Sequence, residues 1–330
     1  MEAMTLKRIG ITGANGHVGA NLVHLLLEEG YAVRALIHKN NNAIQHLPIE
    51  MISGDLFDLS SLSQFCVDLD AVVHCAGWIG IERKEAHETL KVNVEGTRNI
   101  VNACLKAHVK QFVQVSSIQA FKVRRGGLID ENTEKADESC DPYSYSKQLG
   151  EQEVRKGMQQ GLKVSIVNPT SIIGPRDFNP GAQSEAILKI ANRSVPALIK
   201  AGFDWIDVRD VALGILGALN HGENGANYLL SGHWKTFKNI AEEIALWSNK
   251  KPISIYLPIA VAEFGALFQE LWGKLSGQPP LLTREAMQYV RNTPKEISHQ
   301  RAKETFDFHP RPFEETLTDT LHWMREQKWT

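Results

Sequence analysis

Short apolar runs alternate with helical patterns through the first half of the chain. Runs such as KRIGIT, YAVRALI, AVVHCAG and QFVQVSS are almost continuously apolar, and amphipathic segments such as VGANLVHLLLEEG lie between them. Strands that are apolar on both faces and are separated by helices are typical of a parallel sheet with helices on both sides. The pattern therefore predicts an α/β fold with a doubly wound parallel sheet.

The alternation becomes less regular after the strand KVSIVNP. Helices, short strands and proline-containing loops follow without an internal repeat. We expect a first domain over residues 1–178 and a smaller lobe over residues 179–330. Elements near residues 203–233, including FDWIDV and the helix after Asp210, are expected to return to the first sheet, so the boundary is discontinuous.

Charge and cysteine content limit the classes of partner. The chain has 36 Lys and Arg residues against 38 Asp and Glu residues, a formal net charge of -2. Proteins that bind nucleic acid normally carry a basic surface, so we expect a small-molecule substrate and no nucleic-acid partner. No C-x-x-C pair is present, so neither a disulfide framework nor a metal site is predicted; the four cysteines are Cys66, Cys75, Cys104 and Cys140.

Neither the start of the chain nor its longest apolar stretch predicts contact with a membrane. The first seven residues pass directly into a strand-like run without the apolar region of a secretory signal, so a cytoplasmic location is expected. Residues 257–275 contain Pro258 and Glu263 and are too polar for a membrane span. Their apolar spacing predicts an amphipathic helix that packs on the body or on a partner.

A glycine-rich segment, TGANGHVG, joins the first predicted strand to a helix that begins near His17. Glycines at such a turn permit a tight bend and let a pyrophosphate approach the backbone at the helix N-terminus. The spacing is G-x-x-G-x-x-G instead of the commoner G-x-G-x-x-G, and a turn without a ligand is the alternative. The strand, turn and helix context favours dinucleotide binding, with predicted contacts from Gly13, Asn15, Gly16, His17, Val18 and Gly19.

The end of the second predicted strand bears on the choice of dinucleotide. An acidic residue that would hold the ribose 2′-hydroxyl of NAD is absent there, and the chain reads Ile-His-Lys. His38 and Lys39, together with Arg34, could meet a 2′-phosphate, so NADP is favoured over NAD; solvated surface is the alternative for these cations. After the third strand, Asp55 and Leu56 could contact the adenine, although Asp55 is equally suited to capping a helix.

A tyrosine and a lysine, Tyr143 and Lys147, stand four residues apart in YSYSK. Asp141 and Pro142 suit the start of a helix that should end near Gly161. The pair then lies on one helix face, where the ammonium group should lower the pKa of the phenol. Such a pair also arises by chance. It gains meaning from the preceding strand end, QVSS, whose hydroxyls should face the crevice where ligands bind to parallel sheets.

These motifs, together with VVHCAG, NVEGTRN, IVNPTSIIGP, WIDVRDVA and FDFHPRPFEETLTDTLHWMRE, resemble the extended short-chain dehydrogenase/reductase superfamily nearly end to end. Within it, the chain is most similar to bacterial dihydroflavonol-reductase-like proteins and to NAD-dependent epimerase/dehydratases. The resemblance implies a Rossmann-type NAD(P)-binding domain over residues 1–178 and a mainly substrate-binding lobe over residues 179–330. It also implies a homodimer.

The resemblance also implies roles for individual residues. Tyr143 would be the acid/base, Lys147 its pKa modulator and a ribose ligand, and Ser117 the hydroxyl that polarises a carbonyl, with Ser116 less suited. Asn93 would support the structure more than the chemistry. The segment under the cofactor would be His74, Cys75, Ala76 and Gly77, with Cys75 a packing residue, and Pro169 would line the nicotinamide site.

Two departures from the family leave the substrate open. Asn168 stands where many sugar-nucleotide epimerases have arginine, which weakens the interpretation of the chain as an epimerase. Lys122 stands where plant flavonoid reductases have asparagine. Trp78, Ile79 and the helix from Phe264 to Trp272 could wall an apolar pocket, although ordinary core packing is favoured for most of them.

We therefore expect an NAD(P)-dependent oxidoreductase that acts on CH–OH groups and moves a hydride between NADP(H) and a secondary alcohol or ketone. The alternatives are a nucleotide-sugar epimerase or dehydratase with tightly bound NAD, and a non-catalytic protein that senses NADP.

Overall fold

A computed structural model of the protein describes residues 6–123, 126–265, 287 and 290–330. Its strands are β1 (Arg8–Thr12), β2 (Ala32–Ile37), β3 (Glu50–Ser53), β4 (Ala71–His74), β5 (Gln111–Val115), β6 (Leu128–Ile129), β7 (Lys163–Pro169), β8 (Ser171–Ile173), β9 (Leu198–Ile199), β10 (Gly202–Asp207), β11 (Asn227–Leu230), β12 (His233–Thr236), β13 (Tyr256–Leu257) and β14 (Glu296–Ile297). Seven of them form one sheet in the order β11-β7-β5-β4-β1-β2-β3, with every neighbouring pair parallel. The predicted parallel sheet is confirmed.

The α-helices are α1 (His17–Glu28), α2 (Leu59–Cys66), α3 (Ala86–Leu90), α4 (Thr97–Lys106), α5 (Pro142–Gln159), α6 (Ala182–Ala191), α7 (Val208–His221), α8 (Phe237–Ser248), α9 (Gln300–Phe306) and α10 (Phe313–Glu326). Short 3₁₀ turns lie at Arg83–Glu85 and Ile118–Ala120, and a π-helical turn lies at Lys91–Gly96. On one face of the sheet, α1 and α7 share a buried apolar cluster, and α2, α4 and α5 share another on the opposite face. The sheet is therefore doubly wound, as its apolar strands require.

The smaller lobe has its own core. Strands β12, β10 and β8 form a three-stranded sheet, against which α6, α8 and α10 pack around Trp205. The predicted return to the large sheet is confirmed for β11, which pairs with β7, and for α7, which packs on α1. It is wrong for FDWIDV, because β10 pairs with β8 and β12 instead.

Residues 266–275 of the predicted helix over residues 257–275 lie outside the described part of the chain. Among the described residues, no helix has the length and apolar content that crossing a membrane requires.

Candidate active site

Helix α5 begins where the sequence predicts. The Asp141 carboxylate accepts a hydrogen bond from the Ser144 amide at 3.0 Å, and Pro142 is the first helical residue. The helix ends at Gln159, and Gly161 follows with a φ of +100°, a conformation that glycine adopts at little cost. This cap places Tyr143 in the first turn of α5, at the carboxyl edge of the sheet.

Ser117, Tyr143 and Lys147 come together at this edge. Ser117 follows β5, and its hydroxyl hydrogen-bonds to the Tyr143 phenol. The Ser117 oxygen also accepts the Gln119 amide at 3.2 Å, which leaves its proton free to point towards the phenol. Lys147 donates to the Val115 carbonyl at 3.2 Å, and its nitrogen lies 5.8 Å from the centre of the Tyr143 ring.

Burial dominates the titration of this group. It raises the pKa of Tyr143 to about 12, against which the Ser117 hydrogen bond acts. Burial also lowers the pKa of Lys147 to about 8, and the nearby Cys75 and Glu151 oppose that change. The predicted lowering of the phenol pKa by Lys147 is wrong, because burial raises that pKa and the Ser117 hydrogen bond, not Lys147, acts against the rise. Tyr143 thus holds its proton at neutral pH.

The glycine turn lies against the end of β4. Gly13 has a φ of +70°, and a Cβ placed there would lie 2.6 Å from the Ala76 nitrogen. A Cβ at Gly19 would lie 2.1 Å from the Gly13 carbonyl oxygen. Gly16 is the N-cap of α1 and supplies no side-chain hydrogen bond, so the amides of the first turn keep their donors for another acceptor. An uncapped helix start beside small residues fits a pyrophosphate.

The non-glycine side chains of this turn have partners within the protein. The His17 ring bonds to the Pro175 carbonyl at 3.1 Å and lies 3.8 Å from the Asp177 carboxylate. Val18 packs against the buried core, and Asn15 bonds to the loop after β2. Any contact of these three residues with a dinucleotide therefore falls mainly to their backbone amides.

Buried hydrogen bonds of His74 hold the end of β4 in place. His74 is fully buried, which lowers its pKa to about 3, and it bonds to Thr12 at 2.6 Å and Thr97 at 3.2 Å. Thr97 in turn donates to the Asn93 carbonyl, so His74 must donate from Nε2 and accept at Nδ1 from Thr12. A neutral imidazole thus joins the glycine turn to the π-helical turn.

The segment after His74 is small and closely packed. A Cβ at Gly77 would lie 3.2 Å from both the Asn93 side-chain oxygen and the Lys147 nitrogen, so glycine leaves room beside the lysine. Burial raises the pKa of the Cys75 thiol to about 12, which makes it inert as a nucleophile, as expected. Asn93 bonds to the Trp78 backbone and to Ser146, which agrees with a supporting role.

The predicted adenosine end is arranged differently from the expectation. His38 and Asp55, assigned to different parts of the dinucleotide, pair with each other at 2.9 Å. Asp55 accepts the Phe57 amide and caps no helix, because Asp58 caps α2. Arg34 is buried and bonds to backbone carbonyls near the end of α2, so its predicted help with a 2′-phosphate is wrong.

Lys39 and Leu56 remain near the expected positions. Lys39 is an exposed cation just beyond β2, and Leu56 follows β3 with its carbonyl held by Asn99 at 3.0 Å. Lys39 is thus the cation of this group best placed for a 2′-phosphate, and no described contact tests either assignment.

The substrate side carries exposed apolar groups. Trp78 is 47% and Ile79 is 69% exposed, so the favoured core interpretation is wrong for both. Lys122 forms ion pairs with Glu134 and Asp137, which lie in the same loop before α5. Pro169 ends β7, at the same edge of the sheet as Ser117. Of the predicted wall from Phe264 to Trp272, residues 266–272 lie outside the described residues.

Sequence reasoning missed a buried polar cluster directly behind the strand ends. Glu151 of α5 is its centre, and Ser116 and Asn168 bond to the same carboxylate oxygen at 2.7 Å and 2.8 Å. The available signal was the spacing, since Glu151 follows Lys147 by four residues on the same helix face.

Comparisons with known proteins agree with this geometry. The family model "NAD dependent epimerase/dehydratase family" matches residues 9–231. A protein named "Putative dihydroflavonol 4-reductase" from Synechocystis sp. is 31% identical, over 96% of this chain and 94% of its own. Cinnamoyl-CoA reductase 2 of Arabidopsis thaliana is 30% identical, over 63% of this chain and 68% of its own.

Solved structures show the same architecture. The crystal structure of gox2253 superimposes with a TM-score of 0.85 at 30% identity, covering 98% of this chain and 99% of that one. UDP-glucose 4-epimerase from Thermotoga maritima superimposes with a TM-score of 0.80 at 18% identity, over 97% and 99% of the two chains. The second likeness is one of fold alone.

Proposed function

Because the chain belongs to the NAD dependent epimerase/dehydratase family, we propose that it moves a hydride between NADP(H) and a secondary alcohol or ketone. The observation that carries the proposal is the meeting of Ser117, Tyr143 and Lys147 at the carboxyl edge of the sheet. Two hydroxyls and an ammonium group at the crevice of a doubly wound sheet form a proton-transfer site.

The three side chains divide the work of reduction. Tyr143, protonated in the free protein, donates its proton to the carbonyl oxygen as that oxygen becomes an alcohol. Ser117 donates a hydrogen bond to the same oxygen, and the Lys147 ammonium stabilises the phenolate that remains. The dinucleotide, when bound, supplies the hydride.

The glycine turn would hold the pyrophosphate on the uncapped start of α1, with Ala76 and Gly77 below the cofactor and Lys147 on its ribose. Lys39 would select the 2′-phosphate of NADP.

We propose a largely apolar, ring-containing substrate. Trp78 and Ile79 expose large apolar surfaces just beyond β4, and Asn93 fixes the Trp78 backbone at 2.8 Å. Relatives at about 30% identity carry the names of reductases of flavonoid and cinnamoyl compounds. The nucleotide-sugar alternative has less support. Asn168 stands at the position of the epimerase arginine, and its side-chain amide donates to the Ser117 carbonyl and the Glu151 carboxylate.

A panel of carbonyl compounds tests the proposal. We expect purified protein to consume NADPH with at least one aromatic or alicyclic ketone or aldehyde, and to use NADH less well, as followed by nicotinamide absorbance. Co-purified NAD together with interconversion of nucleotide sugars, without net cofactor consumption, would instead establish the epimerase. A clear preference for NADH would remove the role given to Lys39.

The pH dependence of reduction should follow Lys147. Its pKa of about 8 means that the ammonium is present below that pH and is lost above it. We expect kcat/KM for reduction to fall about tenfold for each pH unit above about 8, because the phenolate left after proton transfer loses its counter-charge. Initial rates between pH 6 and 10 in constant ionic strength measure this, and Lys147→Met should lack the alkaline limb. A flat profile to pH 10 would contradict it.

A further inference from the structure

One buried carboxylate stands behind the proposed proton-transfer site. Glu151 is 2% exposed and lies on α5 one helical turn after Lys147 and two turns after Tyr143. A buried carboxylate is costly unless charged or polar partners surround it, so the partners of Glu151 show what it holds in place.

Four donors converge on Glu151. Ser116 and Asn168 bond to Oε1 at 2.7 Å and 2.8 Å, and Lys135 and Asn227 bond to Oε2 at 2.7 Å and 3.1 Å. These partners come from the end of β5, from β7, from β11 and from the segment that joins β6 to α5. The carboxylate therefore joins α5 to the strand ends that form the crevice.

This arrangement reaches Ser117 by two routes. Ser116, its neighbour in the chain, is held by Glu151, and the Asn168 amide that bonds to Glu151 also donates to the Ser117 carbonyl at 2.9 Å. The position of the Ser117 hydroxyl thus depends on Glu151 although the two residues have no described contact.

Glu151 also affects Lys147 through its charge. Burial disfavours the charged form of Lys147, and the nearby Cys75 and Glu151 oppose this effect. Because the Cys75 thiol keeps its proton at neutral pH, the Glu151 carboxylate is the negative charge that acts there, and His74 is neutral. The Lys135 ammonium bonds to the Glu151 carboxylate, has Arg155 and Glu131 near it, and lies 3.5 Å from the centre of the Phe121 ring. Lys135 and Lys147 therefore share the field of one carboxylate.

We propose that Glu151 is a positioning residue of the site, which holds Ser117 in place and keeps the charge on Lys147, and that Lys135 offsets part of this charge. The inference rests on the proposed function for its kinetic consequence. The proposed charge coupling does not depend on the proposed function, because it can be measured in the folded protein without substrate.

Two substitutions with opposite expected effects test the proposal. Glu151→Gln removes the negative charge, so Lys147 loses its proton at lower pH, and we expect kcat/KM at pH 8 to fall about tenfold. Lys135→Met removes the offsetting cation, so Lys147 keeps its proton to higher pH, and about threefold more of the maximal kcat/KM should survive at pH 9. Damage to the structure alone would lower activity in both variants without opposite shifts of the alkaline limb.

Carbon NMR titration of the labelled Lys147 Cε, assigned with Lys147→Arg, follows the same protonation without turnover. Glu153→Gln is the matched control, since Glu153 lies on the same helix and pairs with Arg98 and Lys156 instead. This variant should shift neither the alkaline limb of the kcat/KM profile nor the NMR titration of Lys147. If the Lys147 titration shifts in the same direction in Glu151→Gln and Lys135→Met, or shifts in neither, the proposal is overturned. If Glu151→Gln does not fold, Lys135→Met alone tests the proposal: a shift of the Lys147 titration to higher pH supports it, and any other result overturns it. If the wild-type protein turns over no carbonyl, the proposed function fails and the titration still decides the charge coupling.

Discussion

Tyr143→Phe should lower kcat for carbonyl reduction about a thousandfold and leave NADPH affinity within about twofold of the wild-type value. Proton transfer by a positioned side chain contributes about 10²–10⁴ to rate, and the phenol is the proton donor that the geometry offers. Phenylalanine keeps the buried ring, which is 8% exposed, so packing is retained. Stopped-flow turnover with the best carbonyl of the panel, and fluorescence titration with NADPH, measure the two quantities.

The chain contains its own control for this substitution. Tyr145 lies on the same helix two residues later, is partly exposed, and faces away from the Tyr143–Lys147 side of the helix. Tyr145→Phe should change kcat less than about twofold. Equal losses in the two variants would show that α5 is only being destabilised, and an unchanged rate in Tyr143→Phe would remove the tyrosine from the chemistry and favour a non-catalytic NADP-binding protein.

The parts of the fold that local chemistry determines were predictable. The apolar strands, the glycine turn and the Asp141–Pro142 helix start depend on residues close together in sequence, and each appears where expected. The path of β10 was not predictable in this way, because a strand of six residues that includes two aspartates suits either sheet, and long-range pairing decides between them.

The same division holds within the site. Spacing on one helix placed Tyr143 and Lys147 together, whereas the His38–Asp55 pair joins residues that follow different strands. Sequence also suggested that a neighbouring cation would set the titration of Tyr143. The structure shows that burial raises the pKa of Tyr143 instead, and burial is a property of the whole fold that no short motif reveals.

Gly19→Ala should weaken NADPH binding about a hundredfold. The added Cβ would lie 2.1 Å from the Gly13 carbonyl oxygen and 2.7 Å from the Ala14 Cα, and backbone atoms cannot turn aside as a flexible side chain can. Helix α1 must therefore move off the turn, and its first amides move with it. Alanine gains up to about 1 kcal/mol of helix propensity over glycine. Overpacking costs about 1–3 kcal/mol, so the variant should also lose stability.

Binding and stability separate the local effect from general damage. NADPH titration at a temperature where circular dichroism shows the variant folded gives the first, and urea unfolding gives the second. Gly181→Ala is the matched control, because Gly181 is the N-cap of α6, has a negative φ, and a Cβ there meets nothing within 4 Å. It should leave NADPH affinity unchanged. If Gly19→Ala bound NADPH as tightly as Gly181→Ala, the close contact of α1 with the turn would not set cofactor binding, and the dinucleotide would have to lie elsewhere on the sheet edge.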